Sequence, residues 1–297
     1  MMFTLKNDLL EIAIHPTGAE LQKISAVKNG LEFMWDGNPE FWNSHAPNLF
    51  PIVGSLKEDL FLYNNTSYNL GRHGFARHSD AFTITEKSDN RLTLKLSASE
   101  ETLQNYPFKF EFLVTYELVE NQIKITYTVN NSDDKTIYFS VGGHPAFKCP
   151  LFPDETYSDY TLRFERHENS ETHLLNLKTG LLNLQTEPVF KIPKAIALHD
   201  HIFDKDALVF KDLKSNHVTL NSKNHGDIVS VYFEDFPFLG IWAKPKAHFV
   251  CIEPWQGVAD SENSTQILKD KEGIVALANN KAYSASYSIE IHKRHIA

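Results

Sequence analysis

Apolar and polar residues alternate in short runs through most of this chain. The clearest stretch lies between Phe82 and Val129. There Phe82-Thr83-Ile84-Thr85, Leu92 to Leu96, Phe108 to Leu118 and Ile123 to Val129 each repeat with period two. That period sends alternate side chains to opposite faces of a strand. Ser88-Asp89-Asn90 and Glu120-Asn121-Gln122 separate the runs as turns. The pattern predicts an antiparallel meander with one face buried and one polar.

The same texture extends to both ends. Phe3 to Leu5 and Leu10 to Ile14 read as strands around an Asn7-Asp8 turn, and Ala19 to Val27 alternates again. Asn29-Gly30 is a hairpin signal, because both residues tolerate positive φ, and Phe33 to Trp35 is the expected returning strand. Later strands are expected at Ile137 to Val141, Tyr160 to Glu165, Asp206 to Phe210, Val218 to Leu220, Ser230 to Glu234, Phe238 to Ala243, His248 to Glu253 and Ser284 to His292. Helix is expected only as short turns at Glu40 to Trp42 and Thr102 to Asn105. Neither a fixed-period repeat nor a Pro/Gly/Ser-rich linker divides the chain. The fold class that follows is all-β, a large antiparallel β-sandwich forming one domain, 1–297.

Three stretches break the alternation. Ala46 to Gly54 is apolar but holds Pro47 and Pro51, so it suits a buried irregular segment rather than a central strand. Gly71-Arg72-His73-Gly74-Phe75-Ala76-Arg77-His78 gathers four cationic or titratable side chains around two glycines. Val141-Gly142-Gly143-His144-Pro145 ends a strand on a glycine pair followed by histidine.

Composition narrows the function. The net charge of −9, without a Lys/Arg-rich block, argues against nucleic acid as a partner. Two cysteines, Cys149 and Cys251, are too few for a secreted disulfide scaffold and lack paired metal-ligand spacing. No apolar run approaches the ~18 residues of a membrane span. Met1 to Asp8 lacks the basic and apolar regions of a signal peptide, so a cytoplasmic protein is expected. Nucleophile-elbow, P-loop and dinucleotide motifs are missing. His199-Asp200-His201 has a spacing that lets two imidazoles meet a metal from a strand, but no third ligand accompanies it at a recognisable spacing, and no metal or cofactor is expected.

Glu253 ends the apolar run Phe249 to Ile252 on the same strand face as Cys251. Desolvation there would raise its pKa and suit it to proton transfer; turned to water, it would be a plain strand-end carboxylate. His144 is either an acid/base group, with the preceding glycines letting a ligand approach closely, or a turn histidine. Arg72 and Arg77 can hold hydroxyls or a phosphate through forked donors, or simply be solvated.

Read together, Ala46 to Gly54 (APNLFPIVG), Arg72 to Arg77 (RHGFAR), Gly142 to Phe147 (GGHPAF) and Ile252 to Gly257 (IEPWQG) resemble, in order, the aldose 1-epimerase (galactose mutarotase-like) family, nearest its LacX-type branch. The resemblance runs through nearly the whole chain. It implies a twisted supersandwich with a sugar cleft and cofactor-free interconversion of α and β anomers. It implies Glu253 as general base, His144 as general acid, and His73, Arg77, Arg72 and Asp206 as sugar-binding groups, with Asp204 a neighbour of Asp206 on one strand face. Asn43 and Leu70 stand where the hexose-phosphate branch has an arginine and a glutamine. The expected partner is a small sugar, bound by a monomer or homodimer. The rival reading is a non-catalytic carbohydrate-binding or sugar-sensing protein on the same fold.

Overall fold

The computed structural model describes residues 2–296. Two large sheets face each other. One has nine strands in the order Ala195–Ala197, Tyr160–Phe164, His217–Ser222, Gly226–Tyr232, Ala282–Ile291, Gln122–Asn131, Phe110–Val119, Arg91–Ser97, Thr83–Lys87. The other runs Leu182–Pro188, Glu171–Leu175, Leu208–Phe210, Phe238–Trp242, Phe249–Gln256, Val141–Gly143, Asn48–Leu49, with Ala146–Lys148 also paired to Phe249–Gln256. Among the described residues every pairing of named strands is antiparallel. Phe3–Lys6, Leu10–His15 and Glu20–Ala26 form a smaller third sheet. No helix is long and apolar enough to cross a membrane among the described residues.

The expected meander is there. Phe110, Phe112, Val114, Tyr116 and Leu118 turn inward from one strand, and Ile123, Ile125, Tyr127 and Val129 from its neighbour. Thr102 to Asn105 belongs to a short helix, Glu100–Asn105, whose start Ser99 caps by accepting from the Thr102 amide. Phe50, from the proline-containing segment, stacks on Phe112 with centroids 4.5 Å apart. Asn48 fastens the layers. Its buried amide donates to the Gly18 and Ala19 carbonyls (2.9 Å each) and accepts from the Tyr127 hydroxyl (2.8 Å). The resulting core draws on both large sheets and extends from Leu5 to Ile296.

Four expected strands differ, each for a hydrogen-bonding reason. Phe33 to Trp35 makes only bridges: Phe33 donates to Ile24, whereas Trp35 donates to Ala146, so the segment splits its partners between two sheets. Ile137 to Val141 divides at Ser140, whose amide donates to Pro51; Ile137–Phe139 pairs with Val275–Leu277, and Val141–Gly143 joins the eight-residue Phe249–Gln256 strand. Asp206 is not in a strand. It ends a series of turns with φ +73°, and the strand starts at Leu208, so Asp204 and Asp206 do not share a strand face. Finally, the strand expected to stop at Glu253 continues to Gln256 through Pro254.

Pro254 is tolerated because its neighbour is interrupted. The Ile252 amide donates to Pro145, and the missing amide of Pro254 falls on that same side, where His144-Pro145 separates Val141–Gly143 from Ala146–Lys148. Both pieces keep one register against the long strand: Gly142 lies opposite Trp255, and Ala146 opposite Cys251. Carried across the break, that register sets His144 opposite Glu253.

Candidate active site

His144 Nε2 lies 3.1 Å from Glu253 Oε2, and both side chains are buried, at 10% and 1% exposure. They sit at the floor of a cavity of about 470 Å3 lined also by Trp42, Arg72, His73, Arg77, Asp204, Asp206, Trp242, Lys244 and Trp255. The six residues singled out from the sequence thus surround one space. The lining comes from seven separate stretches of chain, from Trp42 to Trp255, which explains why no local pattern outlines it.

The glycine pair does not open a path for a ligand. Gly142 leaves room for Trp255: a Cβ there would stand 2.7 Å from its indole Cδ1. Gly240, paired with Glu253 on the other side, would collide with the far edge of the same ring. Trp255 therefore lies flat across its strand between two positions that lack side chains. Gly143 faces the opposite way and admits Tyr287 from the nine-stranded sheet, its hypothetical Cβ lying 2.7 Å from the hydroxyl. The requirement at both glycines is side-chain space, not unusual φ.

Trp42 and Trp242, which the sequence pattern did not mark, complete the aromatic wall. Trp42 stacks on the His144 ring at 4.9 Å and 30°, and Trp242 meets it edge-on at 5.8 Å. Trp42 is anchored through its carbonyl, which accepts from the Trp35 indole N–H at 2.8 Å. The only available signal was the presence of tryptophan beside a turn (Trp42) and on the half-buried face of a strand (Trp242).

His73 is locked by its surroundings. Its backbone has φ +66°, its amide donates to the Gly54 carbonyl (2.9 Å), and its Nδ1 accepts from the Gly54 amide (3.1 Å). An Nδ1 that accepts leaves the proton of neutral imidazole on Nε2. Burial, followed by the charges of Arg72, His144 and Arg77, holds His73 well below the usual histidine range, so it stays neutral. It meets the His144 ring edge-on at 5.7 Å.

Burial shifts both members of the central pair toward their neutral forms. Burial, reinforced by Arg77 and partly offset by a backbone hydrogen bond, lowers His144 to about 3. Burial raises Glu253 well above the ordinary carboxylate range; Arg72 opposes that rise and Asp206 adds to it. Burial therefore favours the arrangement with the proton on the carboxyl group and none on the imidazole. The roles drawn from the resemblance need that proton on the imidazole, and the two arrangements differ by one transfer across 3.1 Å.

Arg77 reaches the cavity with its guanidinium pKa lowered by burial, while Arg72 is exposed at the rim beside the turn that ends at Gly180. Asp204 is committed to His201 (2.9 Å), whereas Asp206 accepts only from its neighbouring Ala207 amide (2.7 Å) and its charge is felt at Glu253. Both aspartates line the cavity, and Asp206 is the one whose charge reaches Glu253. His199 and His201 do not converge: His199 Nδ1 accepts from the His201 amide and His201 is exposed. The group of described residues able to converge on a cation is instead His144, Cys251 and Glu253, one ligand atom of each lying within 4.8 Å of the others.

Comparison with known proteins agrees with the pattern of motifs. The sequence model of the family described as aldose 1-epimerase matches residues 1–273. The chromosomal protein LacX of Lactococcus lactis subsp. lactis is 37% identical over 299 aligned residues, covering 98% of this chain and 99% of that protein. The solved structure of a galactose mutarotase related enzyme from Lactobacillus acidophilus is 37% identical, with a TM-score of 0.93 and coverage of 98% of this chain and 97% of the other. That of a galactose mutarotase-like protein from Lactobacillus casei is 30% identical, with a TM-score of 0.91 and coverage of 98% and 100%.

Proposed function

The chain belongs to the aldose 1-epimerase family, and from that premise we propose that it interconverts the α and β anomers of a hexose or related aldose, without a cofactor, using Glu253 and His144. The observation that carries this reading is the 3.1 Å approach of those two buried groups in a cavity walled by tryptophan. Flat aromatic faces suit the apolar faces of a sugar ring, and a cavity of about 470 Å3 holds one.

The reaction needs a proton removed from the anomeric hydroxyl and one delivered to the ring oxygen. The pair carries one proton between its two members. With that proton on His144, Glu253 takes the hydroxyl proton, the C1–ring oxygen bond breaks, the anomeric oxygen becomes a carbonyl, and His144 protonates the former ring oxygen. The pair is then neutral, the state that burial favours. Desolvation therefore favours the complex in which the ring is open. Rotation about C1–C2 presents the other carbonyl face, and reversed transfers close the ring. Each positioned acid/base group typically contributes ~10²–10⁴-fold.

His73, donating from Nε2, supports the ring oxygen or a neighbouring hydroxyl. Arg77, Arg72 and Asp206 hold the remaining hydroxyls. In this reading the protein acts in the cytoplasm as one domain, 1–297, monomeric or homodimeric, with a small sugar as its only partner. The test is saturation-transfer NMR of anomer exchange on a panel of free and 6-phosphorylated aldoses. Accelerated exchange of at least one sugar is expected. A sugar that binds without acceleration would instead support the rival, a non-catalytic sugar-binding protein.

A further inference from the structure

Beneath the His144–Glu253 pair lies a thiol that the proposed reaction does not use. Cys251 precedes Glu253 by two residues on the same strand face and is fully buried. One ligand atom from each of His144, Cys251 and Glu253 lies within 4.8 Å of the other two. Glu253 Oε2 makes no hydrogen bond although His144 Nε2 is only 3.1 Å away. The two atoms approach without being aimed at each other. Donors around a tetrahedral zinc ion, with bonds of ~2.0–2.3 Å, stand roughly 3.3–3.6 Å apart, so small side-chain adjustments bring these three to one point.

We propose that His144, Cys251 and Glu253 form a binding site for a thiophilic divalent cation of the zinc class, and that an ion held there arrests the proton-moving pair. The donor set selects the ion. Thiolate and imidazole favour zinc or cadmium over magnesium or calcium, which want oxygen ligands. On binding, the thiol and the carboxyl group each release a proton to water and the imidazole supplies a lone pair. Two anionic ligands then balance a dication in a buried place, where an uncompensated charge would be costly. His144 and Glu253 line the cavity and Cys251 is buried outside its lining, so a fourth ligand would come from the space the sugar would fill. The coordinated imidazole and carboxylate can no longer exchange protons, and that half of the proposal rests on the function argued above.

The binding half is tested without any sugar. Cadmium is titrated into the whole protein after chelator treatment, and the ultraviolet thiolate-to-cadmium charge-transfer band is followed. Wild type and Cys149→Ser are expected to develop the band with saturation at one equivalent; Cys251→Ser is not, and magnesium is expected to produce no change. Absence of the band in wild type, or its persistence in Cys251→Ser, overturns the site. If Cys251→Ser fails to fold, Glu253→Gln serves: it should keep the band while binding cadmium at least ~10-fold more weakly, as loss of even outer-shell partners does at such sites. Unchanged affinity there also overturns it. In the exchange assay, zinc should suppress wild type and a chelator should restore it, whereas Cys251→Ser should hold its own metal-free rate. Suppression that is equal in both proteins overturns the arrest. A wild type with no exchange even without metal refutes the function, while the cadmium band still decides the site.

Discussion

His144 faces Glu253 because the strand bearing the histidine is broken at that point and the register is not. Gly142 opposite Trp255 and Ala146 opposite Cys251 keep one alignment on either side of the break, and the pair closes to 3.1 Å. A buried pair of this kind controls where protons reside. Adding a second proton means protonating His144, which burial and Arg77 lower from 6.5 to about 3. Removing the only proton means ionising Glu253, which burial holds well above 4.5. The exchange rate should therefore show no imidazole step from His144 at pH 6.5. A rate that titrates as an ordinary imidazole there contradicts the shared-proton state.

The same shifts act on stability with opposite signs. Between pH 6.5 and about 3 the unfolded chain protonates His144 and the folded protein does not, so stability falls as pH is lowered through that window. Above 4.5 the folded protein retains the Glu253 proton that the unfolded chain loses, so stability falls as pH rises. Thermal unfolding should show His144→Asn gaining on wild type toward acid, and Glu253→Gln gaining toward alkali. Parallel Tm curves for wild type and either variant would refute the assigned shift.

Trp255 depends on two absent side chains. A methyl group at Gly240 collides with the edge of its ring and one at Gly142 with Cδ1. Gly240→Ala should cost about 1–3 kcal/mol in denaturant unfolding, the usual range for overpacking, and should weaken sugar binding by tilting the indole. A variant with wild-type stability and affinity would show that the ring has freedom the packing denies it.

His73 should be a pure donor toward the cavity. Because the Gly54 amide occupies Nδ1, nitrogen-resolved NMR should show its proton on Nε2, neutral at pH 6.5 and unchanged when a sugar is added. A charged His73, or a proton on Nδ1, would remove it from the role argued above.

Asn48 couples the sheets through a fully used side chain. Asn48→Leu would leave the Tyr127 hydroxyl and the Gly18 carbonyl without this partner, while the Ala19 carbonyl keeps its bond from the Tyr116 hydroxyl. Each orphaned buried group costs about 1–3 kcal/mol. A loss of several kcal/mol is expected in denaturant unfolding, and a loss under ~1 kcal/mol would mean that the network relaxes.

Alternation reported the sandwich faithfully where a strand has one buried and one wet face, as in Phe110–Val119 and Gln122–Asn131. It failed where long-range hydrogen bonds decide. Nothing local says that Ser140 donates to Pro51 and divides a strand, or that Pro254 can sit inside one because its neighbour is interrupted. Of the candidate site, Glu253, His144 and the Arg72 to Arg77 segment stood out through residue type and neighbours. Trp42 and Trp242 did not, since an aromatic residue beside a turn or in a strand looks the same whether it lines a core or a cavity. The glycines at 142 and 143 were visible but misleading: their purpose lies in Trp255 and Tyr287, distant in sequence.

The most direct test of the central claim is the anomer-exchange rate of wild type, His144→Asn, Glu253→Gln and the double variant on one accelerated sugar. Two groups that work as a unit on one proton should fail together. Each single variant should lose ~10²–10⁴-fold with the fold retained, and the double variant should lose no more than the worse single. Losses that multiply in the double variant, or single variants that match wild type, would contradict the account.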